Sequence, residues 1–210
     1  MNKFNKPELK DVRLHLLNSY YNDLKFIEIF QECKYKKISE KEYFDSTEFS
    51  FKRFLKDWGI IKNISREQQI HLQKLIFKWV RKDKENNVDL LVQNLIEQGV
   101  TNNRLLSLCS KFLFLNKPDK VFPYDSHVRK AIGYNGKIYS DYYMKINTAR
   151  QDLLSQFGSE IIFVEKKLKR IESFFSFKSL NVIEIRKNRI IDKLLWIKGS
   201  KKYYLKLIIN

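Results

Sequence analysis

Turn-forming residues are scarce in this chain: 6 Gly and 3 Pro among 210 residues, where average usage would supply about 25. A sandwich or barrel needs a turn roughly every ten residues, so long helices are the better expectation. Cysteine is equally sparse. Cys33 and Cys109 make neither a disulfide framework nor a metal cluster, and His15, His71 and His127 show no ligand spacing with them. No metal cluster is therefore expected, the expected setting is a reducing cytoplasm, and the function read from the motifs below needs no metal or organic cofactor. The opening MNKFNKPELKDVR has no apolar core of signal-peptide length, and no uninterrupted apolar run approaches the roughly 18 residues that a membrane span requires. A soluble protein with no membrane partner follows as the expectation. No Gly-rich phosphate loop occurs, and the acidic residues form no cluster with the spacing of a nuclease metal site.

What the chain does contain is apolar mass and positive charge. Hydrophobic residues make up 43% and aromatics 14%, too much for a disordered polyelectrolyte, so the chain folds around a core. Its formal net charge is +17. A surface that positive attracts polyanions, nucleic acid first and anionic membrane second. A lysine-rich composition produced by genome bias would give the same total, but the distribution is uneven. Residues 161–210 hold thirteen Lys/Arg against four Asp/Glu.

From Pro7 to about Phe30 apolar residues recur at steps of three and four, the period of an amphipathic helix. A short helix is expected around Ser46–Trp58, ended by Gly59. Ser65 and Gln68 read as a capping box opening a helix through Arg81, because serine accepts from an early amide while glutamine reaches back. A charged loop at Lys82–Asn87 precedes helices at about Val88–Gln98, closed by Gly99, and Asn103–Leu115. Phe122-Pro123-Tyr124 is extended because proline biases its predecessor away from helix, and Asp125 caps a helix near Ser126–Ile132 ended by Gly133. Helices at Asp141–Phe157 and Glu160–Phe175 are expected to be separated by Gly158-Ser159, and one at Ile185–Lys198 to stop at Gly199. With no repeat, linker or low-complexity tract, the chain reads as one compact all-α domain over 1–210 with lobes of about 1–84 and 85–210.

Chemistry is most legible between Ser110 and Ile132. Lys111 interrupts an apolar helix among Leu108, Phe112 and Leu115. Desolvation of a lysine frees its amine lone pair, which makes Lys111 a nucleophile candidate. Asp125 follows an extended dipeptide and precedes a helix, where free amides hold a carboxylate in a fixed place. Both residues also have a purely structural reading, Lys111 as a snorkelling side chain and Asp125 as an N-cap. Arg129 and Lys130 are placed to meet phosphate or solvent, and His127 to meet phosphate or cap local structure. Arg189 and Asp192 are spaced for an intrahelical pair that positions Trp196.

The segments SKFLFL at 110–115, FPYDSHVRKA at 122–131 and RIIDKLLWIKG at 189–199 together resemble the helix-hairpin-helix DNA glycosylase superfamily, most closely the prokaryotic 8-oxoguanine DNA glycosylase-like proteins. The resemblance covers about residues 85–200. It implies a two-lobed helical glycosylase-like fold, DNA as partner, and excision of a damaged or modified base, with lyase activity in bifunctional members. Carried onto this chain, Asp125 stabilises positive charge developing on the deoxyribose and Lys111 attacks the anomeric carbon. Ser107, His127, Arg129 and Lys130 lie near the DNA backbone, and Phe122, Tyr124 and Trp196 are candidates to line a pocket for the extruded base. The places of two hairpin glycines are taken by Ser107 and Cys109, so the hairpin is expected to be degenerate. A non-catalytic nucleic-acid-binding or interaction protein on the same scaffold is the alternative.

Overall fold

A computed structural model of the chain describes residues 6–60, 65–82, 86–100, 105–175 and 180–200. Among the described residues there are nine α-helices and no strand, so the protein is all-α: α1 (Lys6–Lys34), α2 (Glu40–Asp45), α3 (Phe51–Asp57), α4 (Arg66–Arg81), α5 (Val88–Glu97), α6 (Leu106–Asn116), α7 (Ser126–Ala131), α8 (Tyr139–Glu172) and α9 (Val182–Gly199). No described helix is long and apolar enough to cross a membrane.

The helices gather into two compact units, Asn22–Val121 and a terminal unit of Met1–Tyr21 with Phe122–Asn210. This differs from the expected division at 84/85. Two sequence features explain it. The long stripe of α1 serves both units, burying Val12, Leu16 and Tyr20 in one and Leu24, Ile27 and Phe30 in the other. The apolar helix α6, in turn, belongs with α3: the Phe112 ring stacks on Phe51 at 5.1 Å and packs on Phe54 at 5.3 Å, which holds it in the 22–121 unit. Ring pairs of this kind add to plain area burial, and Phe30, Tyr43 and Phe77 continue the same aromatic core.

Local signals decide the helix ends. Ser65 accepts from the Gln68 amide while the Gln68 side chain accepts from the Ser65 amide, closing the expected capping box. Gly59, Gly99 and Gly133 sit at φ +68°, +68° and +64° just beyond helix ends, where glycine carries no Cβ penalty. The expected helix at Ser46–Trp58 begins later, at Phe51 behind the Ser50 cap, and a separate short helix, α2, precedes it behind Ser39. The expected helices at 141–157 and 160–175 are the two halves of α8, separated by a kink at Phe157 (φ −131°, ψ 29°), directly before Gly158-Ser159. A Gly-Ser pair is a common seat of such a kink. The tail beyond Ser200 and the Asn103 start of the α6 reading lie outside the described residues.

Both thiols are interior and unpaired with each other. Burial pushes the Cys33 thiol up to about 12 and raises Cys109 further. The unfolded chain gives up these protons near 9, so the thiols leave stability unaffected below that pH and lower it as pH rises from about 9 to 12. At neutral pH neither should react with a disulfide reagent before unfolding, and prompt modification of the native protein would contradict the burial.

Candidate functional site

Within the terminal unit, the segment around Asp125 is held by hydroxyl-to-backbone bonds. The Tyr139 hydroxyl accepts from the Phe122 amide at 3.0 Å and donates to the Phe122 carbonyl at 2.8 Å, while the Tyr142 hydroxyl donates to the Pro123 carbonyl at 2.6 Å. Tyr139 and Tyr142, three apart on α8, thus clamp the extended run that proline favours. Burial pushes the Tyr142 phenol well above its usual value of 10, and the charge of Asp192 adds to the shift. That hydroxyl accordingly stays protonated and keeps donating.

Asp125 follows at the N-cap of α7 (φ −112°, ψ 145°), its Oδ1 accepting from the His127 amide at 2.8 Å. It is half-buried, so the carboxylate is both fixed and reachable. The first turn of α7 abuts the end of α9. The His127 ring meets Trp196 edge-on at 5.0 Å, and a Cβ placed on Gly199 would stand 1.8 Å from the His127 carbonyl oxygen. Gly199 was expected only to stop α9, yet its φ is not positive. What this position requires is space.

The other expected residues divide by surroundings. Arg189 and Asp192 form the anticipated pair, Nη1 to Oδ2 at 2.6 Å, fully in the interior. Trp196 is half-buried between His127 and His15, with Lys193 Nζ 5.5 Å from its ring. Phe122 and Tyr124 are interior, and Tyr124 packs edge-on against Tyr142 at 4.8 Å. Arg129 spends its guanidinium on the protein, donating to the Tyr124 hydroxyl at 2.7 Å and lying 5.0 Å from that ring. Lys130 is exposed.

Lys111 and Ser107 lie on α6, in the 22–121 unit. Lys111 is 8% exposed, and its ammonium donates to the Trp58 carbonyl at 2.8 Å. Trp58 is the C-cap of α3, so this lysine satisfies a carbonyl that the helix itself leaves unpaired and places positive charge at the favourable end of the dipole. Ser107 is half-buried in the first turn of α6, whose N-cap Leu105 makes no side-chain cap bond. The expected hairpin corresponds to α5 and α6, which pack on each other, and residues 101–104 of the connection lie outside the described set.

Compared with family profiles, with curated proteins and with solved structures, the chain matches none of them. The functional reading therefore rests on the residues themselves. Among the described residues no group of three or more His, Cys, Asp or Glu could hold a metal ion. The tyrosine clamp and the spacing role of Gly199 were not anticipated from sequence; the only available signal was the Tyr139, Tyr142 repeat one helical turn apart.

Proposed function

We propose that this chain binds DNA and cleaves the N-glycosidic bond of a damaged or modified base, in the manner of helix-hairpin-helix glycosylases. The observation that carries the reading is the meeting of two segments singled out by sequence, 122–131 and 189–199, at the His127 backbone and Gly199, directly beside Asp125. When the C1′–N bond breaks, the electron pair leaves with the base and positive charge develops on the sugar. A fixed carboxylate stabilises that charge, which is Asp125's role. Water attacking C1′ and losing a proton completes hydrolysis. In the lyase branch the neutral Lys111 amine bonds to C1′ in place of water and gives one proton to the departing base, and its second proton passes to O4′ as the C1′–O4′ bond breaks and the ring opens to an imine.

One observation favours the non-catalytic alternative, since the Lys111 ammonium is already bonded to Trp58. Borohydride trapping on DNA carrying an abasic site separates the readings. A covalent adduct that disappears in Lys111→Ala supports the lyase role; an adduct surviving in that variant removes Lys111 from the chemistry. Base release should fall at least about a hundredfold in Asp125→Asn while DNA binding persists. Tight binding with no base release from any of several lesions, by the unaltered protein, would leave the binding module as the function.

A further inference from the structure

We infer that the second half of α8 is a binding face for single-stranded nucleic acid, independent of any chemistry at Asp125. Phe163, Lys167, Arg170 and Phe174 stand at steps of four, three and four, so they line one ridge. The turn after α8 keeps Phe174 in line, its backbone N–H donating a hydrogen bond to the Ile171 carbonyl at 3.3 Å. The two rings are about 16 Å apart along the axis at 1.5 Å per residue. Both are exposed, Phe163 at 49% and Phe174 at 76%.

The charge on this face is mainly positive for a structural reason. Of the three carboxylates of this half-helix, Glu165 and Glu172 turn toward Arg186 on α9, at 3.7 and 2.5 Å, and Glu160 accepts from the neighbouring Ser159 hydroxyl at 2.7 Å, so four exposed cations face one half-buried glutamate at the start of the ridge. The exposed cations Lys166, Lys167, Lys169 and Arg170 form no ion pair with a described residue. Two cations already lean on Phe163, the Arg13 guanidinium at 5.9 Å and Lys167 Nζ at 5.6 Å from its centroid. A nucleobase stacks on such a ring more strongly than an exposed cation does. A base arriving there displaces an ammonium that remains beside the phosphate it must neutralise.

The pattern selects the partner. An interfacial membrane helix separates its apolar sector from its cations, whereas here Lys166 and Arg170 fall between Ile162 and Phe163 around the helix. A duplex offers phosphates but keeps its base faces stacked. Unpaired bases with flanking phosphates use both the rings and the cations.

The test measures fluorescence anisotropy of a labelled oligothymidylate of about 15 nucleotides, with an oligouridylate of the same length as the RNA arm, across about 50–200 mM salt. The unaltered protein should bind. Phe163→Ala should weaken binding about tenfold with little change in salt slope, and Lys167→Ala/Arg170→Ala should lower the slope of log K against log salt by about 1.4. All these side chains are exposed or half-buried, and circular dichroism verifies that the variants keep their helices. Unchanged affinity and slope would overturn the proposal, as would binding to phosphatidylserine vesicles without binding to either oligonucleotide, or preference for duplex. The probe carries no lesion, so loss of base release in Asp125→Asn leaves this result untouched, and loss of strand binding in the α8 variants does not bear on the trapping experiment.

Discussion

Gly199→Ala should destabilise the terminal unit by about 3 kcal/mol, seen as an earlier urea transition of the Trp196 signal. The added methyl would stand 1.8 Å from the His127 carbonyl oxygen and 2.5 Å from its carbon. Both obstacles are backbone, so rotation of a side chain cannot relieve the overlap. Either α9 gives up its last turn or α7 moves, and α7 carries the Asp125 cap at its start. A parallel substitution provides the contrast. Gly158 is also helical, has nothing within 4 Å of its Cβ position and has no positive φ. Gly158→Ala should therefore raise stability by about 0.5–1 kcal/mol through the lower entropy of the unfolded chain. Equal effects for the two alanines would show that α7 and α9 do not approach as described. If Asp125 acts on a sugar, Gly199→Ala should also depress base release before the unit unfolds, since the carboxylate is set by the turn that the methyl pushes.

Local rules made much of this legible in advance. The Ser65–Gln68 box, the stops at Gly99 and Gly133 and the Asp125 cap each depend on residues within one turn of one another, and all appear as expected. The break between the two halves of α8 was foreseen within a residue or two, its non-helical residue being Phe157 directly before Gly158-Ser159. Tertiary choices were less visible. Nothing in the run Leu105–Leu115 says that Phe112 faces Phe51 and Phe54, and that pairing moves α6 out of the expected C-terminal lobe. The same limit applies to the site. An aspartate after Pro-Tyr could be recognised as a cap, but the tyrosines that hold its approach lie 17 and 19 residues from their partners. The Lys111 bond to Trp58 spans 53 residues, beyond the reach of periodicity.

Arg186→Ala should cost about 3–5 kcal/mol, the range for removing one partner of a buried ion pair. Arg186 is 8% exposed and meets two carboxylates on α8, while Glu172 also accepts from the Tyr20 hydroxyl of α1 at 2.8 Å. Arg186 joins α9 to α8, and the Glu172 carboxylate carries the connection on to α1. Deleting it leaves Glu165 and Glu172 without their counter-charge in a poorly hydrated place, a penalty much larger than the net worth of the pairs it removes. A triple substitution distinguishes this from simple loss of packing. Combining Arg186→Ala with Glu165→Gln and Glu172→Gln should recover most of the stability, whereas a packing loss would persist or deepen. Arg186 also has a consequence for the outer face of α8. By drawing Glu165 and Glu172 inward it leaves Glu160 as the one carboxylate of the half-helix on the side of Phe163, Lys167 and Arg170. In the neutralised triple variant the helix regains stability without regaining negative charge, so strand binding should remain at the level of the unaltered protein. A fall in oligonucleotide affinity there, with helicity intact, would mean that Arg186 contributes to the binding face itself rather than by sequestering its counter-charges.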